Sequence, residues 1–351
     1  MGLTQAQRTL LEKARSTSGS DYAVPLSDEA CCYLVAVIVS DLGLSKKFPE
    51  LPNAPKPLFG KDRLETLTLP GLDFWVLTER LLTADPNADT YFSCLAMLHK
   101  SRLKYERILE RQAIPSMDQV GPRGLLQYGT MAPRALTVFL LWRKWMFDID
   151  NRAGQETGYL FEPIVAHSLG GAPFSASKSP IRRQHDSKKG RQVDCICDKR
   201  AYEIKLRVSI AASGQGRWKE ELDFPADARA SGYTPVLIIF DPTPNEKQSA
   251  LKAAFLEKQG EVYIGMEAWE HLESVAGATM SKFIKRYVRD PIQALLAEIP
   301  SDGLPDLTLT MSSTELSINV GGESSKIRRA PPSLQDIGAA EPEFPDDIED
   351  L

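Results

Sequence analysis

The stretch Pro235-Val236-Leu237-Ile238-Ile239-Phe240 carries no polar side chain. A strand that alternates apolar and polar residues can leave one face in water, but one that is apolar at every position must be covered on both. Two short alternating segments, 193–197 and 201–208, precede it, and Asp198-Lys199-Arg200 between them suits a tight connection. Helical spacing occupies 154–169, 217–230, 246–258, 267–275 and 278–298, with a short strand at 262–264. Helices alternating with strands predict an α/β fold, with a mixed central sheet flanked by helices over residues 151–300.

Residues 1–150 read as mainly helical. One helix is expected to start at Ser27-Asp28-Glu29, and others near 73–83, 88–113 and 131–148, separated by Pro and Gly clusters at 49–60 and 121–124. Residues 306–320 suit a last hairpin. From about 321 the composition turns to Gly, Ser, Pro and acids, which predicts disorder through the acidic end at 351.

No stretch approaches the ~18 consecutive apolar residues of a membrane span. Met1-Gly2-Leu3-Thr4-Gln5 lacks the basic-then-apolar pattern of a secretory signal, so no membrane association and a cytoplasmic location are expected. The five cysteines form no CxxC pair and the four histidines are scattered, which argues against zinc and for cysteines that serve as small core residues. The net charge of −5 excludes a protein that coats DNA generally. Its distribution is uneven: Lys178 to Arg207 holds ten Lys/Arg against four Asp/Glu, whereas the last eleven residues hold six acids.

Inside the basic strip lies Asp194, followed by Glu203-Ile204-Lys205. On a strand, Tyr202, Ile204, Leu206 and Val208 share one face, and Glu203, Lys205 and Arg207 the other. Register decides where Asp194 falls. A two-residue connection pairs Cys197 with Arg200 and sets Asp194 opposite Glu203. A four-residue connection pairs Cys197 with Tyr202 and sets Asp194 opposite Lys205. A three-residue connection turns Asp194 to the wrong face. Directly opposed Cβ atoms lie about 4.5–5.5 Å apart, so two carboxylates there repel unless a hard cation joins them. Mg²⁺ suits one or two carboxylates plus a phosphate oxygen, and a bound cation polarises the phosphate and acidifies water. A lysine beside it can orient that water and stabilise growing charge.

Asp194 with Glu203-Ile204-Lys205 resembles the signature of the PD-(D/E)xK nuclease superfamily, with Val193 where the family name has Pro. The resemblance, over about 154–245, implies a central hairpin in a mixed sheet, Mg²⁺ as cofactor, and one more acid from the preceding helix: Glu162 first, Glu156 second. The segment Gly214-Gln215-Gly216-Arg217-Trp218 is similar to type II restriction endonucleases of the ApaLI-like group. That implies hydrolysis of double-stranded DNA at a specific, palindromic site by a homodimer, with residues 1–150 binding DNA or mediating dimerisation. Two other readings compete: a structure-specific repair or recombination nuclease, and a DNA-binding protein without catalysis.

The candidates for DNA contact follow from charge and position. Arg182, Arg183, Lys188, Lys189 and Arg191 suit phosphates. Gln184, Gln215 and Arg217 suit base edges. Trp218 is expected in the core, and Glu220 or Glu221 at the favourable start of a helix more readily than as a further metal ligand. His167 and His185 are expected to be structural or exposed. Arg123, Arg134, Arg143 and Lys144 read more readily as exposed helix faces than as a second DNA surface.

Overall fold

The computed structural model describes residues 2–17, 22–54, 63–206 and 215–330, with only the backbone of residues 215–217. The first part is helical: α1 (Gln5–Arg15), α2 (Asp28–Asp41), α3 (Phe74–Ala84), α4 (Ala88–Arg111), the single turn α5 (Met117–Val120) and α6 (Pro133–Ser168). Helix α2 begins where the sequence signals it: the Ser27 hydroxyl accepts the Ala30 N–H at 3.1 Å. Every residue from Ala30 to Val39 is buried, which marks α2 as the central rod of the helical part. At its end, buried Asp41 accepts the Tyr91 hydroxyl of α4 at 2.9 Å, and Tyr287 and Arg286 from far along the chain also bond to it.

Helix α6 is a single 36-residue element where the spacing suggested separate helices at 131–148 and 154–169. Gly154 and Gly158 weaken a helix locally. Tertiary contact overrides that weakness: Glu156, buried between them, meets Lys104 of α4 at 2.8 Å and Arg152 at 3.2 Å. At ~1.5 Å per residue the helix is about 54 Å long.

After α6 come β1 (Ala172–Phe174), a small ribbon of β2 (Arg182–Arg183) and β3 (Asp186–Gly190), β4 (Val193–Cys197) and β5 (Arg200–Lys205). Then follow α7 (Gln215–Ala230), β6 (Thr234–Ile239), α8 (Glu246–Glu257), β7 (Glu261–Ile264), α9 (Met266–Val275), α10 (Gly277–Ile284) and α11 (Asp290–Ala297). The main sheet has the order β1-β4-β5-β6-β7, antiparallel from β1 to β5 and parallel from β5 to β7. It is the mixed, helix-flanked sheet expected from the sequence. Tyr202, Ile204, Val236 and Ile238 face the large core shared with the N-terminal helices. Ala201, Leu237 and Ile239 face a second core with Phe224 and Ala228 of α7 and Leu251 and Phe255 of α8. Strand β6 is therefore buried on both faces, as its wholly apolar composition requires.

The end of the described chain corrects one expectation. Residues after 321 are ordered as far as 330: β8 (Leu307–Met311), β9 (Glu315–Val320) and β10 (Glu323–Arg328) form a three-stranded antiparallel sheet. Gly321 and Gly322 make the turn at φ 53° and 90°, which glycine adopts without cost. Arg328 meets Glu110 of α4 at 3.1 Å, and Arg329 donates to the Leu109 carbonyl at 2.9 Å. The acidic segment 331–351 lies outside the described residues. No helix among the described residues is long and apolar enough to cross a membrane.

Phe161 of α6 packs edge-to-face on Phe240 at 5.1 Å between ring centroids, and Phe240 lies 4.3 Å from Trp269 of α9. This aromatic cluster seats the C-terminal half of α6 on the sheet. Phe161→Ala is expected to cost roughly 3–5 kcal/mol in urea unfolding, the usual range for emptying a buried aromatic site.

Candidate active site

Strands β4 and β5 pair Cys197 with Arg200, Ile196 with Ala201 and Cys195 with Tyr202. The connection is thus two residues, Asp198 and Lys199. Asp198 takes φ 52°, a left-handed conformation that aspartate tolerates better than most residues. One step further on, Asp194 stands opposite Glu203, the first of the two even-length arrangements. The Asp194 Oδ2 accepts the Ile204 N–H at 2.8 Å, so the side chain takes a bond that a strand backbone would otherwise supply. Lys205, the last residue of β5, brings its Nζ to 2.7 Å from Glu203 Oε1 and 3.2 Å from Glu221 Oε1 of α7. The cluster lies at the carboxyl end of β5, which with β6 forms the start of the parallel half, the end where open α/β sheets bind ligands.

Electrostatics confirm that these groups feel one another. Burial pushes the Asp194 carboxyl well above the usual carboxylate range, and the Glu203 and Glu162 charges push it further. Lys205 and the Ile204 N–H pull the other way and lose. Burial works against the Lys205 charge, but Glu203, Asp194 and Glu221 together outweigh it and raise the ammonium above its ordinary value. Glu162 is thus within electrostatic reach of Asp194, on the stretch of α6 that the Phe161 cluster anchors. Glu156 is not part of this group: Lys104 and Arg152 engage it.

Among the described residues, no three Asp, Glu, His or Cys side chains converge tightly enough to cage a metal by themselves. The donor set fits a cation of another habit. A site with Asp194 and Glu203 carboxylates in mutual repulsion suits a hard divalent ion that takes one or two carboxylates and completes its shell with waters and a phosphate. A pocket of about 760 Å³ lies elsewhere, lined by Arg102, Tyr105, Glu110, Glu156, Glu315 and Arg328 among others.

The basic candidates divide sharply. Arg182 and Lys188 are exposed on the β2–β3 ribbon. Gln184 is exposed too, its side-chain amide donating to the Ala226 carbonyl at 3.3 Å. Arg183 is half-buried against Glu220 at 2.6 Å. Arg191 is a correction: it is 5% exposed, pairs with buried Asp227 at 2.6 Å and donates to the Glu220 carbonyl at 2.7 Å. It therefore clamps the ribbon to α7 and does not present itself to a phosphate. The side chains of Gln215 and Arg217 lie outside the described residues. Glu221 is a residue the sequence reading placed at a helix start, with a metal ligand as the lesser alternative. Its contact with Lys205 spans 16 positions and follows no periodicity, so only the fold reveals it.

The comparisons with known proteins bear on the same region. A sequence model of the ApaLI-like restriction endonucleases matches residues 75–289. The type II restriction enzyme ApaLI of Acetobacter pasteurianus is 42% identical over 322 residues, which cover 84% of this chain and 86% of that protein. No solved structure gives a significant match.

Removing the Arg191 side chain leaves Asp227 as a buried, uncompensated charge. Arg191→Ala is expected to lose roughly 3–5 kcal/mol in urea unfolding, the range for breaking one side of a buried pair. Arg182→Ala should stay within about 0.5 kcal/mol of the parent, as for most exposed positions.

Proposed function

The chain belongs to the ApaLI-like restriction endonuclease family and is a type II restriction endonuclease, and from that premise we propose that Asp194, Glu203 and Lys205 are its catalytic residues. The observation that carries the assignment is their convergence on one face of the β4–β5 hairpin, with two carboxylates and one ammonium in mutual electrostatic contact. Asp194 and Glu203 would hold Mg²⁺, with Glu162 of α6 as the further acid within electrostatic reach. When bound, the cation polarises the scissile phosphate and lowers the pKa of a coordinated water. Lys205 keeps its proton under the pull of Glu203, Asp194 and Glu221, so it acts as a fixed positive charge. It orients the attacking water and stabilises the charge that builds on the phosphate oxygens in the transition state. Glu221 positions Lys205 by holding its Nζ from the α7 side.

The exposed Arg182 and Lys188 contact phosphates next to this face, where each released counterion adds affinity. Gln184, with Gln215 and Arg217 at the start of α7, is assigned to the approach to base edges. The substrate is double-stranded DNA with a palindromic site, and the working form is a homodimer, because one chain carries one such cluster and two strands must be cut. The location is cytoplasmic. Family membership favours this reading over a structure-specific repair nuclease or a non-catalytic DNA-binding protein.

Asp194→Asn and Lys205→Met are each expected to lower Mg²⁺-dependent plasmid cleavage at least about a hundredfold, the scale for losing one charge-stabilising group. Wild-type cutting by Asp194→Asn would sink the assignment. Addition of EDTA should stop the parent enzyme.

The Asp194 carboxyl also sets a pH dependence. A protonated Asp194 cannot hold a cation, so cleavage should fall as pH drops, beginning above the usual carboxylate range. In metal-free protein the sign for stability is opposite. A folded-state pKa raised above its unfolded value gives a contribution that is full at low pH and is lost as pH rises through the folded pKa. Metal-free Asp194→Asn should therefore be more stable than the parent at neutral pH, with the difference narrowing as pH falls through the raised folded pKa and gone below the ordinary carboxylate range. Melting curves across pH measure this directly.

A further inference from the structure

The first half of α6 stands apart from both hydrophobic cores. Its buried apolar residues Leu140 and Trp145 belong to neither, whereas Phe161, Ile164, Val165 and Ala166 at the other end are in the large one. The turn over Gly121–Gln127 closes on this half: a Cβ at Gly124 would lie 3.0 Å from Leu140 Cδ1. What remains uncovered is apolar. Leu126 is 93% exposed, Tyr128 82%, Phe147 63% and Phe139 41%, with Leu125, Val138 and Met146 beside them in sequence.

Along the helix, Ala135, Val138, Phe139, Trp142, Met146 and Ile149 follow the three-and-four spacing of a single stripe. Such a stripe packs on another helix at a shallow angle. A helix arm that draws so little on its own core gains its stability from packing, because propensity alone is marginal in water. Apolar surface of this extent on a soluble chain marks an interaction site.

We propose that this arm is the interface with a second copy of the same chain. The stripe is self-complementary. Antiparallel pairing about Trp142 sets Val138 against the partner's Met146, Ala135 against the partner's Ile149, and exposed Arg134 against the partner's Asp150. A surface that matches itself in this way is what a two-fold axis requires. The ion pairs at the two ends fix register more than affinity. The proposal rests on the reading that duplex cleavage needs two of the Asp194 clusters. It gives the helical region its role in dimerisation, and it leaves the hairpin face of each copy free for DNA.

Sedimentation velocity at micromolar protein without DNA tests it. The parent chain and Asp194→Asn should both sediment as dimers. Phe139→Glu combined with Met146→Glu should sediment at half that mass with unchanged far-ultraviolet circular dichroism. Leu295→Glu with Ile292→Glu, on the exposed apolar face of α11, should leave the dimer intact. Trp142→Cys places a thiol at the axis, and mild oxidation should yield a cross-linked dimer on a non-reducing gel that the parent does not give. A monomeric parent, a dimeric double variant that keeps its helicity, dissociation by the α11 pair instead, or no cross-link at Trp142→Cys would each overturn the proposal. If the double variant does not fold, the cross-link decides. Sedimentation does not depend on cleavage, so a dimer broken by the α6 pair in a chain that fails to cut DNA would refute the catalytic assignment and leave the interface standing.

Discussion

The repulsion among Asp194, Glu203 and Glu162 is the constraint to which the rest of the fold responds. These acids are held within each other's fields in a partly buried setting, and the Asp194 carboxyl is driven up in consequence. A chain assembled for stability alone would separate them. Here the hairpin register sets Asp194 opposite Glu203, the aromatic cluster of Phe161, Phe240 and Trp269 anchors the part of α6 that carries Glu162, and Lys205 supplies a positive charge that relieves the repulsion. On the proposed assignment, a divalent cation held by Asp194 and Glu203 would complete the compensation. Such stored electrostatic strain at the expense of stability is a familiar signature of a reactive centre.

The frame around this centre is rigid for identifiable reasons. β6 is sandwiched between the two cores and gives β5 a fixed neighbour along its whole length. α7 is fastened at several points: Glu221 to Lys205, Glu220 to Arg183 and, through its carbonyl, to Arg191, and Asp227 to Arg191. The ribbon with the exposed Arg182 and Lys188 is therefore linked through one helix to the lysine of the site. The ribbon and the Asp194–Glu203–Lys205 cluster share this support, so a shift of one is felt at the other.

Much of this was legible in the residues themselves. The apolar run at 235–240 demanded a doubly covered strand, and the alternation at 201–205 demanded a hairpin with one charged face. The same pattern put Glu203 and Lys205 together without further information. The misreadings have physical causes too. Arg191 looked like its basic neighbours because charge on a strand does not say which side of a ribbon meets a helix. Gly321-Gly322 looked like the start of disorder, although two glycines are also what a tight turn needs. The spacings at 131–148 and 154–169 suggested two helices, whereas α6 runs through and the buried Glu156 ties it to Lys104 of α4.

What the sequence determined by itself was therefore everything that depends on periodicity: the α/β class, the doubly buried strand and the shared face of Glu203 and Lys205. A period of two or of 3.6 is a property of neighbouring residues, and backbone sterics enforce it locally. What only the tertiary structure decided was which distant groups meet: the two-residue register that brings Asp194 to Glu203, the arrival of Glu221 at Lys205, the burial of Arg191 and the uncovered arm of α6. These depend on packing between elements far apart along the chain, for which no local spacing carries a signal.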